Sequence, residues 1–129
     1  MRLAIEQAKL ATIEGEIPVG AIIIKDDKII SQAYNKTICN FNATEHAEMI
    51  AIREACIQLS SPYLNDCTLY VTLEPCPMCS YAISLSRISK VYFGSYRDIR
   101  KDKDLKEIYG GFCEEECAQL LTAFFNSIR

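Results

Sequence analysis

No stretch of this 129-residue chain approaches the roughly 20 consecutive apolar residues that a membrane-spanning helix requires, so a bilayer span is not expected. Net positive charge is also missing: 14 Lys and Arg stand against 17 Asp and Glu, for a formal charge of −3. A protein that holds nucleic acid mainly through phosphates usually carries a positive field. The charge therefore argues against indiscriminate nucleic-acid binding, while leaving room for a local basic patch. Internal repeats, low-complexity runs and Gly/Ser/Pro linkers are absent, which points to one domain over 1–129. The composition, half hydrophobic and 24% charged, is that of an ordinary globular chain. There is no export-signal pattern either. The opening MRLAIEQAKLATIEGE is interrupted by Glu6, Lys9 and Glu14 and reads as an amphipathic helix, so a cytoplasmic protein is expected.

Histidine is the scarcest chemical resource: His46, in the stretch TEHAEM, is the only one. Cysteine is abundant, with seven residues, an odd number. Without an export signal a disulfide scaffold is not expected, and metal ligation or simple burial are the alternatives.

The pattern predicts a helix over 1–14, then β-branched strands at Val19–Ile24 and Ile29–Tyr34 around a turn at Lys25–Lys28. A helix follows over 45–59, with Met49, Ile52, Cys56 and Leu59 on one stripe, ended by Ser60-Ser61-Pro62. Cys67–Leu73 is a strong strand. Pro77 suits the first position of a helix running to about Ser86, and Lys90–Gly94 is another strand. This strand–helix–strand unit should be parallel, with a right-handed crossover. A weak strand is expected at Lys106–Tyr109. Cys117, Leu120, Leu121, Phe124, Phe125 and Ile128 then fall at helical spacing in a last helix. The sum is a three-layer α/β fold around about five strands.

Two segments carry chemistry. His46-Ala47-Glu48 opens one helix; thirty residues after the histidine, Pro75-Cys76-Pro77-Met78-Cys79 opens another. Cys76 and Cys79, three apart, share one side of a helical turn, and a helix N-terminus favours the metal-binding thiolate. One imidazole and two thiolates are the ligand set of a catalytic zinc with an open fourth position. No fourth ligand with good spacing is present, which disfavours a closed structural site. Glu48, two residues from His46, points to another side of the helix. It is poorly placed as a ligand but suited to exchange protons with water held by the metal. A lone histidine at a helix start is usually a surface or capping residue, and a lone C-x-x-C is often two buried cysteines; specificity comes from the combination.

That combination resembles the signature of the zinc-dependent nucleobase and nucleoside deaminases, in which the Glu is the acid/base and not a ligand. The likeness covers most of the chain. EIPVGAIII (16–24), AYNK (33–36), HAEM (46–49), TLYVTLEPCPMC (68–79), SRISKVYFG (86–94) and ECAQLLTAFF (116–125) look like blocks of the bacterial tRNA-specific adenosine deaminases. The resemblance implies a cytidine-deaminase-like α/β/α fold with a mixed sheet and one Zn2+ per chain on His46, Cys76 and Cys79. It implies that Glu48 shuttles protons while hydroxide attacks C6 of adenine and ammonia leaves. Asn35 matches the asparagine that contacts the nucleoside, with a plain turn residue as the alternative. Val19, Ala47 and Pro75 match positions lining the base pocket. Phe124 and Phe125 match the terminal helix, where most of their surface should be core. It also implies a homodimer acting on the wobble adenosine of a tRNA anticodon loop, whose target base must be splayed out.

The chain departs from that family in two places. After Gly94 it reads SYRDIRKDKDLKEIYGG and is shorter by more than ten residues, in a region that helps shape the RNA-binding edge. The replacement sets Arg97, Arg100, Lys101, Lys103 and Lys106 against Asp98, Asp102 and Asp104, either a phosphate contact or a solvated loop. Asn42-Ala43-Thr44-Glu45 stands where the family commonly has Asp-Pro-Thr-Ala. Cys113 and Cys117, four apart, offer a second metal half-site without evident partners. Two alternatives to a tRNA deaminase stay open: a deaminase of free guanine, cytosine or a small nucleoside, and a non-catalytic zinc-stabilised partner module, which the intact Glu48 disfavours.

Overall fold

The computed structural model describes residues 1–97 and 107–128. Its elements, in chain order, are α1 (Arg2–Ile13), β1 (Gly20–Lys25), β2 (Lys28–Tyr34), α2 (Ala47–Leu59), β3 (Cys67–Leu73), α3 (Pro77–Leu85), β4 (Lys90–Ser95), β5 (Ile108–Tyr109) and α4 (Glu114–Ser127).

α1 ends because Gly15 turns left-handed at φ +76. The Gly15 N–H then donates to Thr12 and the Glu16 N–H to Ala11, at 3.1 and 2.9 Å, closing the helix on its own carbonyls. The β1–β2 turn is tighter than the four residues expected. Lys25 pairs with Lys28, and only Asp26 and Asp27 form the loop, both at positive φ, as a two-residue hairpin turn demands.

The sheet order is β2-β1-β3-β4-β5. β1 is antiparallel to β2 and β3, whereas β3, β4 and β5 run parallel, so the sheet is mixed as expected. The weak fifth strand is real but short; Lys106, the start expected for it, lies outside the described residues, as do Asp98 and the basic and acidic positions from Arg100 to Asp104.

Strand alternation assigns the two faces. Ala21, Ile23, Leu69, Val71, Val91 and Phe93 pack with Ala47, Ile50, Ala51 and Ala55 of α2 and Ile83 of α3. On the other face Gly20 meets α1 at Ala4 and Ala8, and Gly94 meets Cys117 of α4. The result is a three-layer α/β/α fold. The second face also carries a tyrosine ladder: Tyr70, Tyr92 and Tyr109 stack across β3, β4 and β5 with ring centroids 5.2 and 5.4 Å apart.

Two helix faces differ from expectation. In α2 the innermost apolar residues are Ala47, Ile50, Ala51 and Ala55; Ile52, Cys56 and Leu59 flank them half-buried. Small alanines let the helix approach the sheet closely, so the face that enters the core is not the most hydrophobic stripe. In α4 only Cys117 and Phe124 are buried, while Phe125 and Ile128 are exposed. Successive helical residues lie about 100° apart, so Phe125 cannot share Phe124's inward direction.

Candidate metal centre and catalytic site

One end of the sheet gathers His46, Glu48, Cys76 and Cys79 together with Val19, Asn35, Ala47 and Pro75. β1 begins there, β2 ends there, and β3 ends there, because Gly20 pairs with Tyr34 and Ala21 with Val71. Val19 and Asn35 are joined by an Asn35 N–H to Val19 carbonyl bond of 3.0 Å. Beyond Leu73 the chain turns through Glu74 and Pro75 into α3, and its path is fixed by Glu74. The Glu74 N–H donates to Ser95 at 2.8 Å, and its carboxylate accepts the Arg97 N–H at 3.1 Å.

His46 is the extended residue that caps α2, and Cys76 is the extended residue that caps α3. Pro77 at the first helical position needs no N–H partner. The Cys76 sulfur accepts the Cys79 N–H at 3.4 Å, so the two thiols sit over one helix start. His46 Nδ1 lies 3.5 Å from Cys76 Sγ and 3.4 Å from Cys79 Sγ. A tetrahedral zinc with bonds of about 2.0 Å to nitrogen and about 2.3 Å to sulfur spans roughly 3.5 Å between such atoms, so the donors already stand at the edges of its tetrahedron. These three are the one group of potential metal ligands among the described residues, and all donor atoms lie within 4.8 Å of one another. Cys113 and Cys117 form no such group.

The electrostatics suit a cation. Burial and the Arg97 charge lower the pKa of His46, keeping the imidazole neutral with a lone pair to offer, and the ring's hydrogen bond to the Ala43 backbone acts the other way. Burial first, then Glu48 and Cys76, push the Cys79 thiol well above its ordinary value. Burial and neighbouring negative charge thus work against the helix N-terminus, and a divalent cation held by these donors would offset that accumulation of negative charge.

Glu48, at the second position of α2, is 4% exposed and is not among the grouped ligands. Burial raises its pKa, opposed by a hydrogen bond with Cys79 and by the Arg97 charge. A carboxylate so placed takes up a proton readily and has a positive charge nearby to restore it. Ala47 and Val19 both belong to the buried core cluster at this end of the sheet, and Pro75 is buried beside Cys76. Asn35 is 4% exposed and its Nδ2 donates to Thr37 Oγ1 at 3.2 Å.

Sequence reasoning passed over three contributors. Glu16, fully buried, accepts the amides of Ile38 and Cys39. Glu45, noted only as a departure, is gripped by Arg53 through both oxygens at 2.9 and 3.2 Å. Arg97, considered for phosphate contact, acts electrostatically on His46 and Glu48. A glutamate eight residues before an arginine on the next helix was the available signal for the second; no spacing marks the first or third.

Comparison with known proteins agrees with this geometry. Residues 1–95 match the cytidine and deoxycytidylate deaminase zinc-binding region. The tRNA-specific adenosine deaminase of Aquifex aeolicus is 43% identical over 143 aligned positions, covering 100% of this chain and 93% of the relative. Those 143 positions against 129 residues leave 14 without a counterpart here, consistent with the shortening after Gly94. A solved structure from biochemical and structural studies of A-to-I editing by tRNA:A34 deaminases at the wobble position of transfer RNA is similar at TM-score 0.87 and 34% identity, over 94% of this chain and 97% of that one. The guanine deaminase of Bacillus subtilis is similar at TM-score 0.71 and 39% identity, over 74% of this chain and 61% of that one. With its three donors arranged for a tetrahedral ion, the chain belongs to the cytidine and deoxycytidylate deaminase family of zinc-binding enzymes.

Proposed function

We propose that this protein, as a single deaminase domain, converts the wobble adenosine of a tRNA to inosine. The observation that carries the reading is the buried Glu48 beside a preformed His46–Cys76–Cys79 donor set, in a chain whose relatives match it end to end. Zinc bound by the three donors acts as a Lewis acid that lowers the pKa of water. Glu48 then accepts a proton from the attacking water and returns it to the departing amine, so that C6 exchanges its amino group for oxygen and ammonia leaves. Val19, Asn35, Ala47 and Pro75 form the walls against which the splayed-out base rests, with Asn35 supplying the polar contact.

A second copy of the chain completes the assembly. Ile57 of α2 and Tyr81 and Leu85 of α3 are each 72% exposed on the two helices that carry the donors, and Tyr81 and Leu85 lie one turn apart on a single stripe. Such a surface supports a homodimer in the cytoplasm, where the tRNA is. No helix among the described residues is long and apolar enough to cross a membrane.

The test is incubation of the zinc-loaded protein with arginine tRNA, followed by sequencing for inosine at the wobble position. Zinc-loaded protein that makes no inosine refutes the proposal. Ammonia release from free guanine or cytosine in a parallel panel would transfer the assignment to a free-base deaminase, the reading favoured by the likeness to the Bacillus guanine deaminase.

A further inference from the structure

We propose that Glu16 is a positioning residue. Its buried carboxylate fixes the segment after Asn35 against the segment before Val19, and so orients the Asn35 side chain through Thr37. The inference rests on the deaminase reading above.

Glu16 has no solvent exposure. A carboxylate removed from water is costly unless its lone pairs are taken. Here they are taken by one loop: Oε1 accepts the Ile38 N–H at 2.8 Å and the Cys39 N–H at 2.7 Å, and Oε2 lies 3.2 Å from the same Ile38 nitrogen. Hydrogen bonds to a charged acceptor are the strong ones. Glu16 is itself immobilised, since its N–H closes α1 on Ala11 and the following residues, Ile17 and Pro18, lead directly to Val19. On the loop side, Asn35 bonds back to Val19 and the Lys36 N–H donates to the Glu45 carbonyl at 3.0 Å.

The connection 36–45 is thus tied at both ends by carboxylates with different tasks. Glu45, held by Arg53, secures the end that delivers His46. Glu16 secures the end that leaves Asn35. Apolar packing does not substitute for it, because Ile38 and Phe41 on this connection are 56% and 96% exposed. Strand pairing already places the Asn35 backbone beside Val19; the carboxylate holds Ile38 and Cys39, and with them the adjoining Thr37, whose Oγ1 accepts from Asn35 Nδ2 at 3.2 Å and so fixes where the Asn35 side chain points.

Glu16→Ala and Glu16→Gln, zinc-loaded, are compared with the wild type on an anticodon stem-loop RNA with adenosine at the wobble position. kcat and KM are read separately, alongside zinc content and amide hydrogen exchange at Ile38 and Cys39. Glutamine keeps an oxygen where Oε1 stands, so both short bonds survive and only the longer Ile38 contact to Oε2 is lost; alanine has none. The alanine variant should raise KM about tenfold, with zinc content retained and both amides exchanging faster, and the glutamine variant should stay within about threefold of wild type. If alanine does not give folded protein, Glu16→Asp, one methylene too short to reach, is read by the same criteria. An unchanged KM, a loss that only follows the zinc-free fraction, or a glutamine variant as impaired as alanine overturns the inference. A wild-type protein that binds zinc but forms no inosine overturns the deaminase reading and this inference with it.

Discussion

Gly20→Ala adds one methyl group where two layers of the fold touch. A Cβ there would stand 2.0 Å from the Ala4 carbonyl oxygen, 2.6 Å from the Ala8 nitrogen and 2.8 Å from Gln7 Cβ. Two of these are backbone atoms of α1, so no side-chain rotation relieves the clash. The helix must retreat by roughly 1 Å, and a gap of that size forfeits about a quarter to a half of each dispersion contact it opens. α1 seats Ala4, Ile5, Ala8 and Ala11 against the sheet, all fully buried. Overpacking costs about 1–3 kcal/mol, and loosening Ile5 adds a fraction of its burial of about 1.5–3 kcal/mol. Reduced freedom of the unfolded chain offsets about 0.4–1 kcal/mol. An approach of 2.0 Å to backbone belongs in the upper half of the overpacking range, so the net destabilisation is about 1.5–4 kcal/mol, or a Tm lower by roughly 5–15 °C in a chain of this size. Far-UV circular dichroism of thermal and urea unfolding reads it. Gly15 supplies the contrast: it has open space but φ +76. Asparagine, which tolerates a left-handed backbone, should be accepted at Gly15 and rejected at Gly20. A Gly20→Ala protein within about 3 °C of wild type, or the reverse preference for asparagine, refutes the argument from close approach.

Glu48→Gln should lower kcat by about 10²–10⁴-fold while the protein still carries one zinc, measured by metal analysis beside the inosine assay. His46→Ala or Cys79→Ser should lose both, and chelation of the wild type should lower its Tm, since metal held only by the folded state stabilises it. Arg53 holds the Glu45 carboxyl below its ordinary pKa, chiefly by hydrogen bonding. That contribution is therefore complete above the ordinary carboxylate range and fades as pH falls through the lowered folded value. Glu45→Gln should flatten the acid limb of Tm against pH without moving the neutral plateau by more than the small amount expected of a pair whose Arg53 is half exposed.

Much of this molecule can be read from residue pattern, and the parts that resist do so for identifiable reasons. CTLYVTL is β3 to the residue because a β-branched run bounded by Asp66 and Glu74-Pro75 has little else to be. The donor set is legible because two sulfurs and one imidazole at that spacing have few other uses. The inward face of α2 is misjudged from the pattern because alanine ranks low in hydrophobicity yet permits the closest helix–sheet approach. Glu16 is hidden for a different reason. Its role depends on two backbone amides more than twenty residues away, and main-chain donors leave no trace in a sequence. The same holds for the Arg97 charge, which reaches His46 only once β4 lies parallel to β3.

The tyrosine ladder has an optical consequence. The chain contains no tryptophan and seven tyrosines, so tyrosine dominates its near-ultraviolet signal above the phenylalanine bands of its five Phe. Tyr70, Tyr92 and Tyr109 stack at 5.2 and 5.4 Å, with interplanar angles of 16° and 25°, one ring from each parallel strand. Transition dipoles at that spacing couple; the Tyr70–Tyr92 coupling needs β3 and β4 in register, and the Tyr92–Tyr109 coupling exists only while β5 is docked beside β4. The fold therefore carries its own chromophore at the short β5 edge. Near-ultraviolet dichroism can report the docking of that edge separately from the helices.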